Sequence, residues 1–274
     1  MKPTHKLFKV LRKTGLLAIV IFHLVSINGC VSTIHRGGGG TGGAFTNALG
    51  MKFVYVPPGT FIMGSPPYEP GRYHDEIRHQ VTLTHGFYMQ TTPVTQGQWT
   101  AIMGINPSHF NDCGDNCPVE QISWNEVQKF IRRLNQRTGK SYRLPTESEW
   151  EYACRTGTRT RFFFGNSDSQ LGLYAWYDEN SGRTTHPVAQ KQPNAWGLYD
   201  MYGNVWEWCS DWYGDYPSGS VTDPAGPASG DNRVIRGGSW NCDARYCRSA
   251  IRGGYGPGFR FYNLGFRLAA SAVR

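Results

Sequence analysis

From Gly157 to the C-terminus, over a hundred residues, the chain carries no helical period; glycine, asparagine, proline and aromatic residues dominate instead. No long amphipathic helix can be written through such a segment. It can form a core only by wrapping irregular loops around large aromatic side chains. Little regular structure is therefore expected across the second half of the molecule.

Within it lies the stretch with the most chemistry, Arg236 to Arg267, RGGSWNCDARYCRSAIRGGYGPGFRFYNLGFR. Cys242 and Cys247 stand five apart, behind a Gly237-Gly238 pair that predicts a tight bend entering a packed site. In an oxidising compartment such a pair forms a small disulfide loop. Two thiolates are too few for zinc, which wants four ligands. They suit copper(I), a soft ion content with few ligands.

The first half is more regular. Lys52 to Ser65 reads as strand, Pro-Pro-Gly turn and strand, Gln80 to Met89 as a further strand, and Thr95 to Met103 as a short helix. Ser123-Trp124-Asn125-Glu126 is a capping box, in which hydroxyl and carboxylate reciprocally satisfy orphan amides. Behind it Val127, Phe130, Ile131 and Leu134 fall on one face of a helix that ends at Gly139. A second box, Thr146 to Glu149, opens a helix carrying Trp150 and Ala153. No internal repeat or linker interrupts residues 49–274, which are expected to form one domain.

The N-terminus has a different character. A basic head precedes an apolar run, Gly15 to Ile27, and then Asn28-Gly29-Cys30. The run is short for a membrane span and has the shape of a secretory signal, or of an uncleaved signal anchor. The cysteine after Gly29 resembles the bacterial lipoprotein cleavage box, which implies cleavage after residue 29, lipidation of Cys30, and a domain tethered to the cell envelope at the periplasmic face or outer membrane. Residues 30–48 are glycine-rich and read as a flexible tether. Of the formal charge of +8, five positive charges (Lys2, Lys6, Lys9, Arg12, Lys13) precede Cys30 with no acid among them, leaving +3 for the remainder. That is too little for a nucleic-acid footprint. Export places the other six cysteines where disulfides are permitted.

Seven phrases occur in order: GTFIMGS at 59–65, TPVTQGQW at 92–99, PVEQISWNE at 118–126, YRLPTESEWEYACR at 142–155, NAWGLYDMYGNVWEW at 194–208, RGGSW at 236–240 and NLGFR at 263–267. Together they resemble the formylglycine-generating enzyme, or sulfatase-modifying factor, family. The resemblance implies an α+β, loop-rich fold related to C-type lectins. The family holds both catalysts and relatives that have lost the catalytic cysteines.

In the aerobic catalysts a Cys-x-x-x-x-Cys pair inside a GGS block binds copper(I). This chain keeps that spacing at Cys242 and Cys247 and the serine at Ser239. The resemblance implies that a cysteine of a sulfatase-type substrate, in a Cys-x-Pro-x-Arg motif, is oxidised there with O2 to Cα-formylglycine. Trp208 and Asn263 would line the substrate pocket. It also implies a calcium loop at Gly203 to Trp208, with the Glu207 carboxylate and the carbonyls of Tyr202, Gly203 and Val205 as hard ligands. The other reading of Glu207 is a buried carboxylate paired with an arginine. A second calcium loop, expected near Tyr174 to Ser181, has no clear counterpart.

Cys113 and Cys117 enclose turn residues and read as a local structural disulfide. Cys154 matches a disulfide cysteine of the catalysts, but the position of its usual partner is Leu268. Cys154 then either pairs with Cys209 or both are buried thiols. Two functions follow: a copper-dependent, formylglycine-generating oxidoreductase, or a non-catalytic envelope-tethered binding or assembly module on the same scaffold.

Overall fold

The computed structural model describes residues 43–272. The signal segment 1–29 and the lipidation expected at Cys30 lie outside the described residues. Phe45–Thr46, counted in the tether from sequence, forms a short strand (β1), and the Phe45 ring stacks on Phe53 at 4.8 Å.

Strands β2 (Lys52–Val56) and β3 (Gly59–Met63) form where the turn chemistry of Pro57-Pro58 predicts them. The run Gln80–Met89, expected as one strand, is two: β4 (His79–Leu83) pairs with β3, whereas β5 (Phe87–Gln90) pairs with β2. The break falls at Thr84–Gly86. There the Thr84 amide donates to the Asp223 carboxylate at 2.8 Å, and Gly86 passes so close to Tyr55 that no side chain would fit.

Three capped helices follow the sequence signals. They are α1 (Gln96–Met103) behind Thr95, α2 (Trp124–Thr138) behind Ser123, and, after β6 (Tyr142–Arg143), α3 (Glu147–Arg155) behind Thr146. Each has both hydrogen bonds of a capping box, and α2 stops at Gly139 in the left-handed region. The expected face of α2, Val127, Phe130, Ile131 and Leu134, is buried, each residue contributing about 1.5–3 kcal/mol of apolar transfer. Its Phe130 stacks on Trp99 of α1 at 5.2 Å.

Between Arg155 and Trp206 the only helical segment among the described residues is a 3₁₀ turn, Asp168–Leu173. The remaining strands are β7 (Trp206–Trp212), β8 (Val221–Thr222), β9 (Arg233–Arg236), β10 (Arg252–Tyr255), β11 (Leu264–Gly265) and β12 (Ala269–Ser271). They complete sheets of order β1-β2-β5-β12-β6, β10-β9-β7-β11 and β3-β4-β8. The seven-residue β7 is buried on both faces and so lacks the alternation by which a strand is read from sequence.

Helix α3 is almost wholly buried although it carries Glu147, Glu151 and Arg155. Its charges are matched inside. Glu151 holds Arg155 at 2.8 Å and also pairs with Arg236, and Glu147 holds Arg252 at 2.8 Å. Pairing of this kind offsets the cost of burying a carboxylate. These ion pairs fix the strands that carry the candidate site.

Candidate active site

The segment from Arg236 to Arg248 is pinned at both ends by arginines with no exposed surface. Arg236, closing β9, binds Glu151 and the carbonyls of Ser249 (2.9 Å) and Ala250 (3.1 Å). Arg248 binds Glu69 at 2.7 Å and Glu76 at 2.8 Å, tying the segment to the loop before β4. Just inside the first anchor, Gly237 and Gly238 have φ of 100° and 76°, a region L side chains avoid. A Cβ on Gly238 would lie 2.9 Å from the Cys247 sulfur and collide with the Tyr246 carbonyl. The bend anticipated from the Gly-Gly pair therefore exists to bring backbone against Cys247.

Beyond the bend the segment turns twice. The Cys242 amide donates to the Ser239 carbonyl at 3.0 Å, and Asp243 caps a 3₁₀ turn, Ala244–Tyr246, by accepting the Arg245 amide at 2.8 Å. This returns Cys247 to the neighbourhood of Cys242. Both are free cysteines, Cys242 half-buried and Cys247 buried.

Ser239 meets Cys242 and is itself held by Asn241 and Asn263. The Ser239 hydroxyl lies 3.2 Å from the Cys242 sulfur and donates to Asn241 Oδ1 at 2.8 Å. The Asn263 side-chain amide donates to Ser239 Oγ at 3.2 Å and to Asn241 Oδ1 at 2.9 Å. Burial pushes the Cys242 thiol up, against the Ser239 hydroxyl and amide and the Trp206 indole, which favour the thiolate. Burial pushes Cys247 well up, the neighbouring Cys242 adding to it, while the amides of Gly203 and Ser239 act the other way. A groove of about 390 Å³ is lined by Trp206, Ile251, Tyr73, Tyr213, Tyr246 and Gly254 among others; neither cysteine lines it.

Ser239, Cys242, Cys247 and Asn263 are thus brought together. Trp208 is placed elsewhere: it is fully buried and its indole donates to the Ile122 carbonyl at 3.2 Å. The tryptophan that reaches Cys242 is Trp206, two residues earlier on the same face of β7. Sequence reading missed Trp206 and Asn241. It also missed the arginine anchors, whose signal was the pair of arginines flanking the GGS block and the second cysteine.

The loop expected to bind calcium is arranged otherwise. Both oxygens of Glu207 accept from Arg267 at 2.6 Å, and Oε2 also accepts the Trp150 indole N–H at 2.7 Å. Glu207 was the one charged ligand in that set, and its charge is matched by a guanidinium where a divalent cation would have to sit. Tyr202 directs its hydroxyl to the Phe163 amide and Ser249, both at 2.7 Å, and the Gly203 amide donates to the Gly237 carbonyl at 2.9 Å. Asn204 brackets His186, and Val205 packs beneath Gly265. The ion-pair reading of Glu207 is the arrangement observed.

Cys113 and Cys117 form the expected disulfide. Cys154 and Cys209 are buried free thiols: Cys154 lies beside Tyr202 and Ser249, and Cys209 beside Asp211 and Glu147.

Residues 44–272 match the family described as the sulfatase-modifying factor enzyme 1-like domain. The chain belongs to this family. The formylglycine-generating enzyme of Mus musculus is 39% identical over 194 residues, 65% of this chain and 50% of its own length. That of Streptomyces coelicolor is 38% identical over 174 residues, 57% of this chain and 54% of its own. The chain thus spans about half the length of these curated relatives. Among solved structures, Treponema denticola variable protein 1 shares the fold with a TM-score of 0.77 at 34% identity, covering 85% of this chain and 100% of that one. The loop-rich α+β architecture expected from the sequence is the one observed.

Proposed function

We propose that this protein oxidises a cysteine of a sulfatase-type polypeptide to Cα-formylglycine, with Cys242 and Cys247 holding copper(I). The observation that supports the reading is the pair of neighbouring free cysteines, with Ser239 on Cys242 and Asn263 holding Ser239. The donor set fits the ion, since two sulfurs in an enclosed site suit a soft monovalent metal. Burial keeps both thiols protonated, so loading the metal must release protons. When bound, copper supplies the one-electron chemistry with O2 that thiols and hydroxyls lack.

The chain's own residues then orient and shield. Gly238 holds backbone against Cys247, so that sulfur stays dry. Ser239 gives its proton to Asn241 and its lone pair to Asn263, which fixes a hydroxyl beside Cys242 where an incoming substrate thiol must sit. Lipidation at Cys30 would hold this chemistry at the outer face of an envelope membrane, where polypeptides arrive unfolded. Palmitate labelling that is lost in Cys30→Ala tests that anchor.

The activity is tested with a Cys-x-Pro-x-Arg peptide, copper(I) and O2, trapping the product aldehyde with a hydrazide. Turnover in the wild type, lost in Cys242→Ser and in Cys247→Ser, is expected. A loaded wild type that forms no aldehyde refutes the reading and leaves the binding-module alternative.

A further inference from the structure

A second cavity, of about 320 Å³, lies between the start of α3, the end of β7, the start of β4 and the segment 214–227. Its size is at the lower end of the roughly 300–1,000 Å³ usual for small-molecule sites. Met63, Trp212, Pro217 and Pro227 supply apolar wall.

The polar atoms facing it are unbalanced in one direction. Each guanidinium nitrogen and each hydroxyl donor is engaged. Arg252 gives Nε and Nη2 to Glu147 at 2.9 and 2.8 Å and Nη1 to the Gly214 carbonyl at 2.9 Å. Tyr216 donates to Glu147 at 2.9 Å, and Ser148 to the Pro224 carbonyl at 3.3 Å. The acceptors are not. His79 gives Nδ1–H to the Ile77 carbonyl at 3.0 Å; in that tautomer Nε2 is an acceptor, with no partner among the described residues. Asp215 is exposed and makes no ion pair among the described residues.

Asp211 is the decisive group. It is only 4% exposed, lines the cavity, and uses Oδ2 alone, for the Glu147 amide and the Ser210 hydroxyl, both at 2.9 Å. Oδ1 lies toward Gly226, another lining residue, and accepts no hydrogen bond among the described residues. The adjoining Arg233 feels the Asp211 charge but makes no ion pair with it among the described residues. That guanidinium is stacked between Trp124 and Trp212 at 3.9 and 3.4 Å and donates to the Ser210 carbonyl at 2.6 Å. A buried carboxylate without a cation is costly, and a paired one is not. Burial accordingly pushes Asp211 up to about 7, with Glu147 adding to it.

We infer that this cavity is a binding site for a small organic ammonium ligand, its charged nitrogen on Asp211 Oδ1 with His79 Nε2 as a further acceptor, and its apolar body between Met63, Trp212 and the prolines. The site is separate from the cysteine pair and needs no metal.

Isothermal titration of the full chain at pH 8, where both Asp211 and an amine carry charge, tests it with 2-phenylethylammonium and its neutral counterpart 2-phenylethanol. One equivalent of the amine is expected to bind, with the alcohol weaker by about ten- to a hundredfold, the worth of a charge-assisted hydrogen bond. Asp211→Asn should abolish the difference. Ala225→Trp, a change at an exposed lining residue that leaves Asp211 intact, should fill the cavity and abolish binding even if the first variant folds poorly. No binding of the amine to wild type, equal binding of amine and alcohol, or undiminished binding to Ala225→Trp would each overturn the proposal.

Discussion

Replacing Glu207 by Gln isolates what that carboxylate does. In the structure it neutralises Arg267, which has no exposed surface, and accepts the Trp150 indole. The amide keeps nearly the same shape but removes the charge, leaving a guanidinium buried without a counter-ion. Breaking such a pair costs about 3–5 kcal/mol. For a chain of this size each kcal/mol moves Tm by about 2–4 °C, so a fall of about 6–20 °C is expected. Removing both charges, in Glu207→Gln with Arg267→Met, should recover part of the loss, because the uncompensated charge is then gone. Thermal melts of the three variants and wild type, each with and without EGTA, provide the measurement. An ion pair predicts melts indifferent to the chelator. If Glu207→Gln melts with wild type, or if EGTA lowers the wild-type Tm by the amount the mutation does, the ion-pair account of this loop is wrong and calcium returns.

Gly238→Ala should destabilise by at least about 1–2 kcal/mol from its left-handed backbone alone. Denaturant titration should show more than this, because the new methyl meets the Tyr246 carbonyl and the Cys247 sulfur. Cys113→Ser opens a five-residue loop and should lower stability by about 2 kcal/mol, provided the comparison is made without reductant. Glu120 has no exposed surface, one unpartnered oxygen, and a carboxyl pushed up to about 7 by burial. An acid whose folded pKa is raised keeps its proton in the folded state while the unfolded chain has lost it, so stability falls as pH rises from about 4.5 to 7. Glu120→Gln should flatten that slope in urea midpoints measured across the interval, and an unchanged slope would contradict it.

The parts legible from sequence were those encoded locally. Thr95, Ser123 and Thr146 cap their helices through residues three positions away, and Gly139 stops α2 by its own backbone freedom. Ser239, Cys242 and Cys247 share one short segment, and the family resemblance marked them as one site. What was not legible depends on distant partners. The break between β4 and β5 rests on Asp223 and Tyr55, and the burial of β7 on both faces erases its period. Glu207 read as a calcium ligand because its neighbours in sequence suit one, while the residue that claims it, Arg267, lies sixty positions on. Trp206 and Trp208 share a face of one strand, and only the packed sheet decides which indole meets Cys242.

The claim on which the functional account rests is that Cys242 and Cys247 form one thiol site for a soft metal. Anaerobic titration of the reduced protein with copper(I) against a competing chelator tests it directly, beside Cys242→Ser and Cys247→Ser. One equivalent bound tightly by wild type and lost in both variants is the predicted result. Wild type that competes for copper(I) no better than either variant would contradict it.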